Sequence, residues 1–236
     1  MTDGGFEAHL TVRGADDPAS AARLERWSAV RGWKFTHIVL ARGRTPSQPM
    51  LTLRGRGPYE EQLRVCRQAS EALRGAGFPP VRVKIEVAPW EPVVPRSDAQ
   101  ARLLNGPGGT GGSDDSGRHA GRYFEHHLKV LLDPIGPGAA ATLDALTAAA
   151  VAHDAHVSWN ARRTHGGTGR QERFVTQRCH GVGLPTARAR LAALTRAVRE
   201  LSVEIAETEE EFVVYDSNAA IDDGWIIAAR DQEARR

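Results

Sequence analysis

Apolar and polar residues alternate along residues 6–13, with Phe6, Ala8, Leu10 and Val12 on one side and Glu7, His9 and Thr11 on the other. That two-residue period predicts a half-buried strand. Over residues 18–30 the period lengthens: Leu24, Trp27 and Val30 recur at helical spacing behind a capping Asp16 or Asp17, so a helix is predicted. Residues 35–40 and 50–54 read as strands around a loop rich in Gly, Pro and Ser. Residues 59–73 read as a helix entered through Pro58 and left through Gly75. Over residues 81–87, Val81, Val83, Ile85 and Val87 alternate with Arg82, Lys84 and Glu86, again a strand. The rest of the chain repeats this order. Strands are predicted near 124–131, 155–162 and 172–178, and helices near 139–152 and 186–200. A last strand passes through 211–215 or begins nearer Val203.

The repeat is visible in the letters themselves. Phe6-Glu7-Ala8-His9-Leu10-Thr11-Val12 matches Phe124-Glu125-His126-His127-Leu128-Lys129-Val130 at an offset of 118. His37-Ile38 matches His156-Val157 at an offset of 119. Leu51-Thr52-Leu53-Arg54 matches Val175-Thr176-Gln177-Arg178 at an offset of 124. A duplication with small insertions produces such an ordered series. Each half reads βαββαβ, so the expected fold is α+β: a tandem duplication of a ferredoxin-like unit. Two antiparallel four-stranded sheets, each in spatial order 4-1-3-2, would carry their helices on one face. The expected organisation is a first repeat over 1–91, a flexible Pro/Gly/Ser linker over 92–121, a second repeat over 122–227 and a charged tail over 228–236.

Strand alternation also sorts the side chains. Glu7, His9, His37, Thr52 and Arg54 are expected to point away from the helices of the first half. Glu125, His127, Lys129, His156, Ser158, Asn160, Thr176 and Arg178 are expected to do so in the second. If the two sheets face one another or join into a barrel, these groups line a shared polar cleft. A merely solvated sheet face is the bland alternative. Against it, Glu, His, Thr and Arg recur in kind, while Thr11 became Lys129 and Ala8 became His126.

These residue types support several chemistries. Glu7, His9, Glu125 and His127 are candidate general acids and bases, because burial moves a carboxylate toward neutral pKa. Arg54, Arg178, Lys129, Thr52, Thr176 and Arg162 are candidates to hold an anionic substrate. His9, His37, His127 and His156 are candidate ligands of a divalent metal, the one cofactor considered. The Gly-rich turns before two helices, 55–58 and 181–185, and the basic loop 162–170 could offer backbone amides to an anion, or be plain turns. Cys179 beside His180 could be a nucleophile but has no counterpart in the first half. The segments 216–218 and 222–225 read as turns that could cap a cleft.

Two short matches resemble known families. His9-Leu10-Thr11-Val12 and His156-Val157-Ser158-Trp159 resemble the paired His-x-Thr/Ser motifs of the two-histidine phosphoesterases, although here they fall on non-equivalent strands. Glu125-His126-His127-Leu128-Lys129 is similar to the Glu-x-Glu-x-Lys strand of the CYTH triphosphate tunnel enzymes, with His127 in place of the second Glu. Both resemblances imply a phosphate-bearing substrate.

Composition narrows the partners. The chain has 236 residues, 41% hydrophobic and 25% charged, ordinary for a globular protein. A formal charge of +2 gives no electrostatic case for nucleic acid. No apolar run reaches membrane-span length and no leader segment is visible, so a cytoplasmic location is expected. The expectation is therefore a small-molecule enzyme, of hydrolase (phosphoesterase-like) or lyase type. It would act on an anionic substrate by metal-assisted or general acid–base chemistry. The competing expectation is a non-catalytic ligand-binding or regulatory module using the same face.

Overall fold

The computed structural model describes residues 5–105, 121–133, 138–161 and 170–225. The first half contains β1 (Gly5–Val12), α1 (Pro18–Ala29), β2 (Lys34–Leu40), β3 (Ser47–Arg56), α2 (Tyr59–Gly75) and β4 (Pro80–Val87). After α3 (Asp98–Asn105) the second half follows as β5 (Tyr123–Leu132), α4 (Ala139–Ala152), β6 (Ala155–Asn160), β7 (Gln171–His180), α5 (Leu184–Glu200) and β8 (Glu204–Asp216). A short 3-10 turn, Ala219–Asp222, comes after β8. The fold is α+β, and α3 occupies part of the stretch expected to be a linker.

The strands form one closed antiparallel barrel in the order β1-β3-β2-β6-β7-β5-β8-β4. This corrects the expectation of two separate sheets. Each half keeps the order 4-1-3-2, but β2 pairs with β6 and β4 with β8. Two four-stranded sheets would each leave two open edges of unpaired amides and carbonyls, and closure removes all of them. The apolar cores lie outside the barrel wall, under the helices. Leu10, Leu51, Ile85 and Val87 pack with Leu24, Ala69 and Leu73 on one side. Leu128, Val130, Val157 and Val175 pack with Leu146, Leu191 and Leu194 on the other. The strand faces opposite the helices therefore turn inward.

Register fixes which residues of the halves correspond. Glu7 pairs with Arg54 on one side and Glu86 on the other, as Glu125 pairs with Arg178 and Glu211. Thr52 pairs with Lys34, and its counterpart Thr176 pairs with His156. The counterpart of His156 is thus Lys34, not His37 as the sequence match implied. That match is displaced by three residues, an odd number, and an odd slip puts a side chain on the opposite face. His37 accordingly sits on the helix side, with Nε2 2.9 Å from Ser47 Oγ, which donates to Asp16 at 2.7 Å.

Local chemistry supports the elements. The Asp17 carboxylate accepts hydrogen bonds from the Ala19 and Ser20 amides, each at 3.0 Å, and caps α1 ahead of Pro18. The amide of Gly183, at the start of α5, donates to Asp98 Oδ1 at 2.8 Å. The helix N-terminus considered as an anion site is thereby filled by a carboxylate of the chain itself. At the other Gly turn, the Gln62 side chain packs over Gly55 and donates to the Arg56 carbonyl at 2.8 Å.

Candidate functional site: the barrel lumen

The lumen holds a cavity of about 210 Å³. One end is crossed by the segment after β8. Asp222 there accepts from Gln48 at 2.7 Å, Arg82 at 2.8 Å and Arg178 at 2.7 Å. The Trp225 carbonyl accepts from Arg42 Nε at 3.0 Å, and its ring stacks on His156 with centroids 4.0 Å apart. The opposite end is open. β4 stops at Val87, so residues 204–211 of β8 pair with β5 but not with β4. The gap forms a cleft of about 570 Å³ rimmed by Arg56, Trp90 and Arg188. Glu7, Arg54, Glu209 and Glu211 line both spaces, so the cleft leads into the lumen.

Inside, the duplication produces one constellation twice. His9 Nδ1 lies 3.0 Å from Thr52 Oγ1, and its Nε2 lies 2.7 Å from Glu86. His127 Nδ1 lies 3.0 Å from Thr176 Oγ1, and its Nε2 lies 3.4 Å from both Glu211 and Glu125. Each is a carboxylate–imidazole–hydroxyl chain carried by three adjacent strands.

The two copies differ in charge. The strand neighbour of His9 is Lys84, whereas that of His127 is Glu209. Lys84 pairs with Glu86 at 2.6 Å and with Glu125. Burial would raise the Glu86 carboxyl, but Lys84 and His9 outweigh it and hold it down at about 2. Glu211 has no lysine or arginine of its own among the described residues. Burial first, and then the charge of Glu86, push its carboxyl above the ordinary value. Burial would lower the His127 imidazole, yet hydrogen bonds to Glu125 and Glu211 overcome this and hold it up at about 10. Equivalent carboxyls with pKa values driven apart are the mark of divided acid and base roles.

Of the other lumen cations, Arg178 and Arg82 are committed. Arg178 bonds Glu125 at 2.6 Å besides Asp222. Arg82 bonds Asp216 at 2.8 Å besides Asp222, and Tyr123 donates its hydroxyl to Asp216 at 2.8 Å. Burial opposes the charge of Glu125, but Lys84 and Arg178 keep its carboxyl well below the ordinary range.

Of the residues singled out in the sequence, Glu7, His9, Thr52, Arg54, Glu125, His127, Thr176 and Arg178 meet around the lumen. Lys129 is on the same strand face, where it pairs with Glu207 at 2.5 Å near the strand's far end. Arg162 lies outside the described residues, as does most of the loop 162–170. The four histidines expected to share a metal do not converge. His37 is behind the wall, His156 packs on Trp225, and His9 and His127 belong to separate chains of hydrogen bonds. Among the described residues, no group of three His, Cys, Asp or Glu side chains is arranged to hold a metal. Cys179 is buried on the helix side, and burial pushes its thiol up, away from nucleophilic use. His126 is fully buried against Gln177, as a packed residue. Arg82, Lys84, Glu86, Glu211 and Asp222 were not singled out as site residues. The alternation of residues 81–87 had placed three of them on the polar face, and the turn 222–225 did cap the cavity.

No protein-family model matches the chain, and no curated protein matches it. Solved structures to which the chain is similar include chlorite dismutase from Candidatus Nitrospira defluvii in complex with imidazole, at 14% identity over 90% of this chain and 92% of that one, TM-score 0.28. Another is the regulatory subunit of aspartate kinase from Thermus flavus, at 15% identity over 85% and 94%, TM-score 0.31. Among the described residues no helix is long and apolar enough to cross a membrane.

Proposed function

We propose that the barrel lumen binds a small molecule and that Glu211 and His127 form its acid–base centre. The observation that carries this reading is the broken symmetry of the duplicated constellation. Glu86 is locked by Lys84, whereas Glu211, its counterpart, borders both the cavity and the open cleft. A carboxyl of raised pKa beside a protonated imidazole can give a proton to a bound molecule and take one back. Thr176 fixes the ring by its contact with Nδ1, leaving Nε2 directed at the two carboxylates. Such a centre suits proton transfer, including elimination or addition of the lyase kind. An anionic substrate has less support than the sequence suggested, because Arg178 is already paired with two carboxylates. A non-catalytic binding module is the second reading. It is favoured by the same saturation: Arg82, Lys84 and Arg178 are held in a fixed lattice of ion pairs.

Ligand-observed NMR against a fragment library, followed by protein-observed spectra of the histidine rings, tests the site. Hits are expected to perturb the His127 ring resonances and to lose binding in Met50→Trp, which fills the lumen. Hits that bind Met50→Trp as well as the wild type would remove the lumen from consideration.

A further inference from the structure

The lumen has two unlike walls. Ile38 and Leu40 of β2, Met50 of β3 and Phe174 of β7 line it on one side, with Trp225 at the closed end. In the ring order of the barrel, β8 stands diametrically across from β2. The side chains that β8 sends into the cavity are Glu209 and Glu211. The β2 wall, apolar at Ile38 and Leu40 and polar at Lys34 and Thr36, therefore faces a carboxylate wall.

Most charges of the lumen are compensated; Lys34 on β2 and Glu209 on β8 have no ion-pair partner among the described residues. Arg54 is paired with Glu7, Lys84 with Glu86 and Glu125, Arg178 with Glu125 and Asp222, and Arg82 with Asp216 and Asp222. Glu209 has no cationic partner among the described residues, and Glu211 shares His127 with Glu125. Resting on the lumen being a binding site, we propose that its ligand is a small amphiphilic organic cation. A compact apolar group would lie on Ile38, Leu40, Met50 and Phe174, with an ammonium head between Glu209 and Glu211.

The size fits. A cavity of ~150 Å³ takes a benzene ring, so 210 Å³ leaves room for one ring and a short substituted chain. Burial first, and then the charge of Glu86, raise the Glu211 carboxyl, and a cation would relieve the second of these. A carboxylate or phosphate head would add to that repulsion. Trp90, 74% exposed on the cleft rim, offers a ring face to a cation on its way in.

Isothermal titration of the full chain with 2-phenylethylammonium, 2-phenylethanol and phenylacetate separates the possibilities, since the ring is constant and the head varies. The ammonium is expected to bind about tenfold more tightly than the alcohol, the size of one charge-assisted contact, and phenylacetate most weakly. Glu211→Gln should weaken the ammonium about tenfold and leave the alcohol unchanged. The exposed Glu209→Gln should weaken the ammonium in the same direction without a risk to folding. Met50→Trp should abolish binding of all three. If the alcohol or phenylacetate binds the wild type as well as the ammonium does, the lumen stands as a site and the cationic class is overturned. Failure of all three to bind the wild type, or equal binding to Met50→Trp, would overturn the lumen site together with the ligand class.

Discussion

At the scale of the residue, the barrel interior is organised by pairing. Buried Arg82 and Arg178 each meet carboxylates from a neighbouring strand and from the segment across the closed end, and Lys84 meets Glu86 of its own strand and Glu125 of β5. His127 is the member with the clearest dependence on pH. Its folded value of about 10 lies above the ordinary 6.5. A raised value means the folded state binds the proton more tightly, so the stabilisation is full below pH 6.5 and is lost as pH rises through about 10. Denaturant unfolding at intervals from pH 6 to pH ~10.5 should show wild-type stability falling across that window. His127→Gln should flatten the fall, and an unchanged slope would remove the ion pair as its cause. At this scale the sequence was informative about which side chains share a face, because alternation is local. It was silent about which carboxylate meets which histidine. Glu86 and Glu211 acquire their roles from pairing with Glu7 and Glu125, a matter of register. Asp222 looked like a turn residue because nothing nearby in the chain reveals Gln48, Arg82 or Arg178.

The elements were legible nearly to their ends. Predicted strands at 6–13 and 124–131 became Gly5–Val12 and Tyr123–Leu132, and the helix expected at 59–73 became Tyr59–Gly75. Such boundaries follow from period and capping residues, which are written locally. The second strand of the first half was harder. Over residues 34–40, Phe35, Ile38, Val39 and Leu40 place apolar groups on both faces, so parity is ambiguous. The structure resolves it with Ile38 and Leu40 in the lumen and His37 outside. Between elements, Gly183 carries a testable constraint. A Cβ there would lie 2.4 Å from the Ser97 carbonyl carbon, and backbone cannot swing aside as a flexible side chain does. Gly183→Ala should cost about 1–3 kcal/mol in equilibrium unfolding and disturb the Asp98 contact that caps α5. A neutral result would mean that residues 95–98 are free to shift.

At the scale of the whole molecule, the duplication was plain in the sequence and the closure was not. Both arrangements, two sheets or one barrel, bury the same helix-facing residues. They differ only in β2–β6 and β4–β8, pairings between strands far apart in sequence. Because those seams are ladders of backbone hydrogen bonds, we expect residues 1–105 and 121–236 to reassemble when co-expressed as separate chains. They should elute together at the size of the intact protein. Separate elution of two folded fragments would show that each half is stable without the barrel. The bolt across the closed end has a further consequence for the growing chain. Asp222 reaches Gln48, 174 residues earlier, and Arg82, 140 residues earlier. Until β6 and then β8 leave the ribosome, a first half already outside it has its seam strands, β2 and β4, uncovered. Contacts of such sequence separation form slowly, and the nearest matching edges in a polysome belong to neighbouring nascent copies. Chaperones that shield strand edges would then raise the yield of this protein.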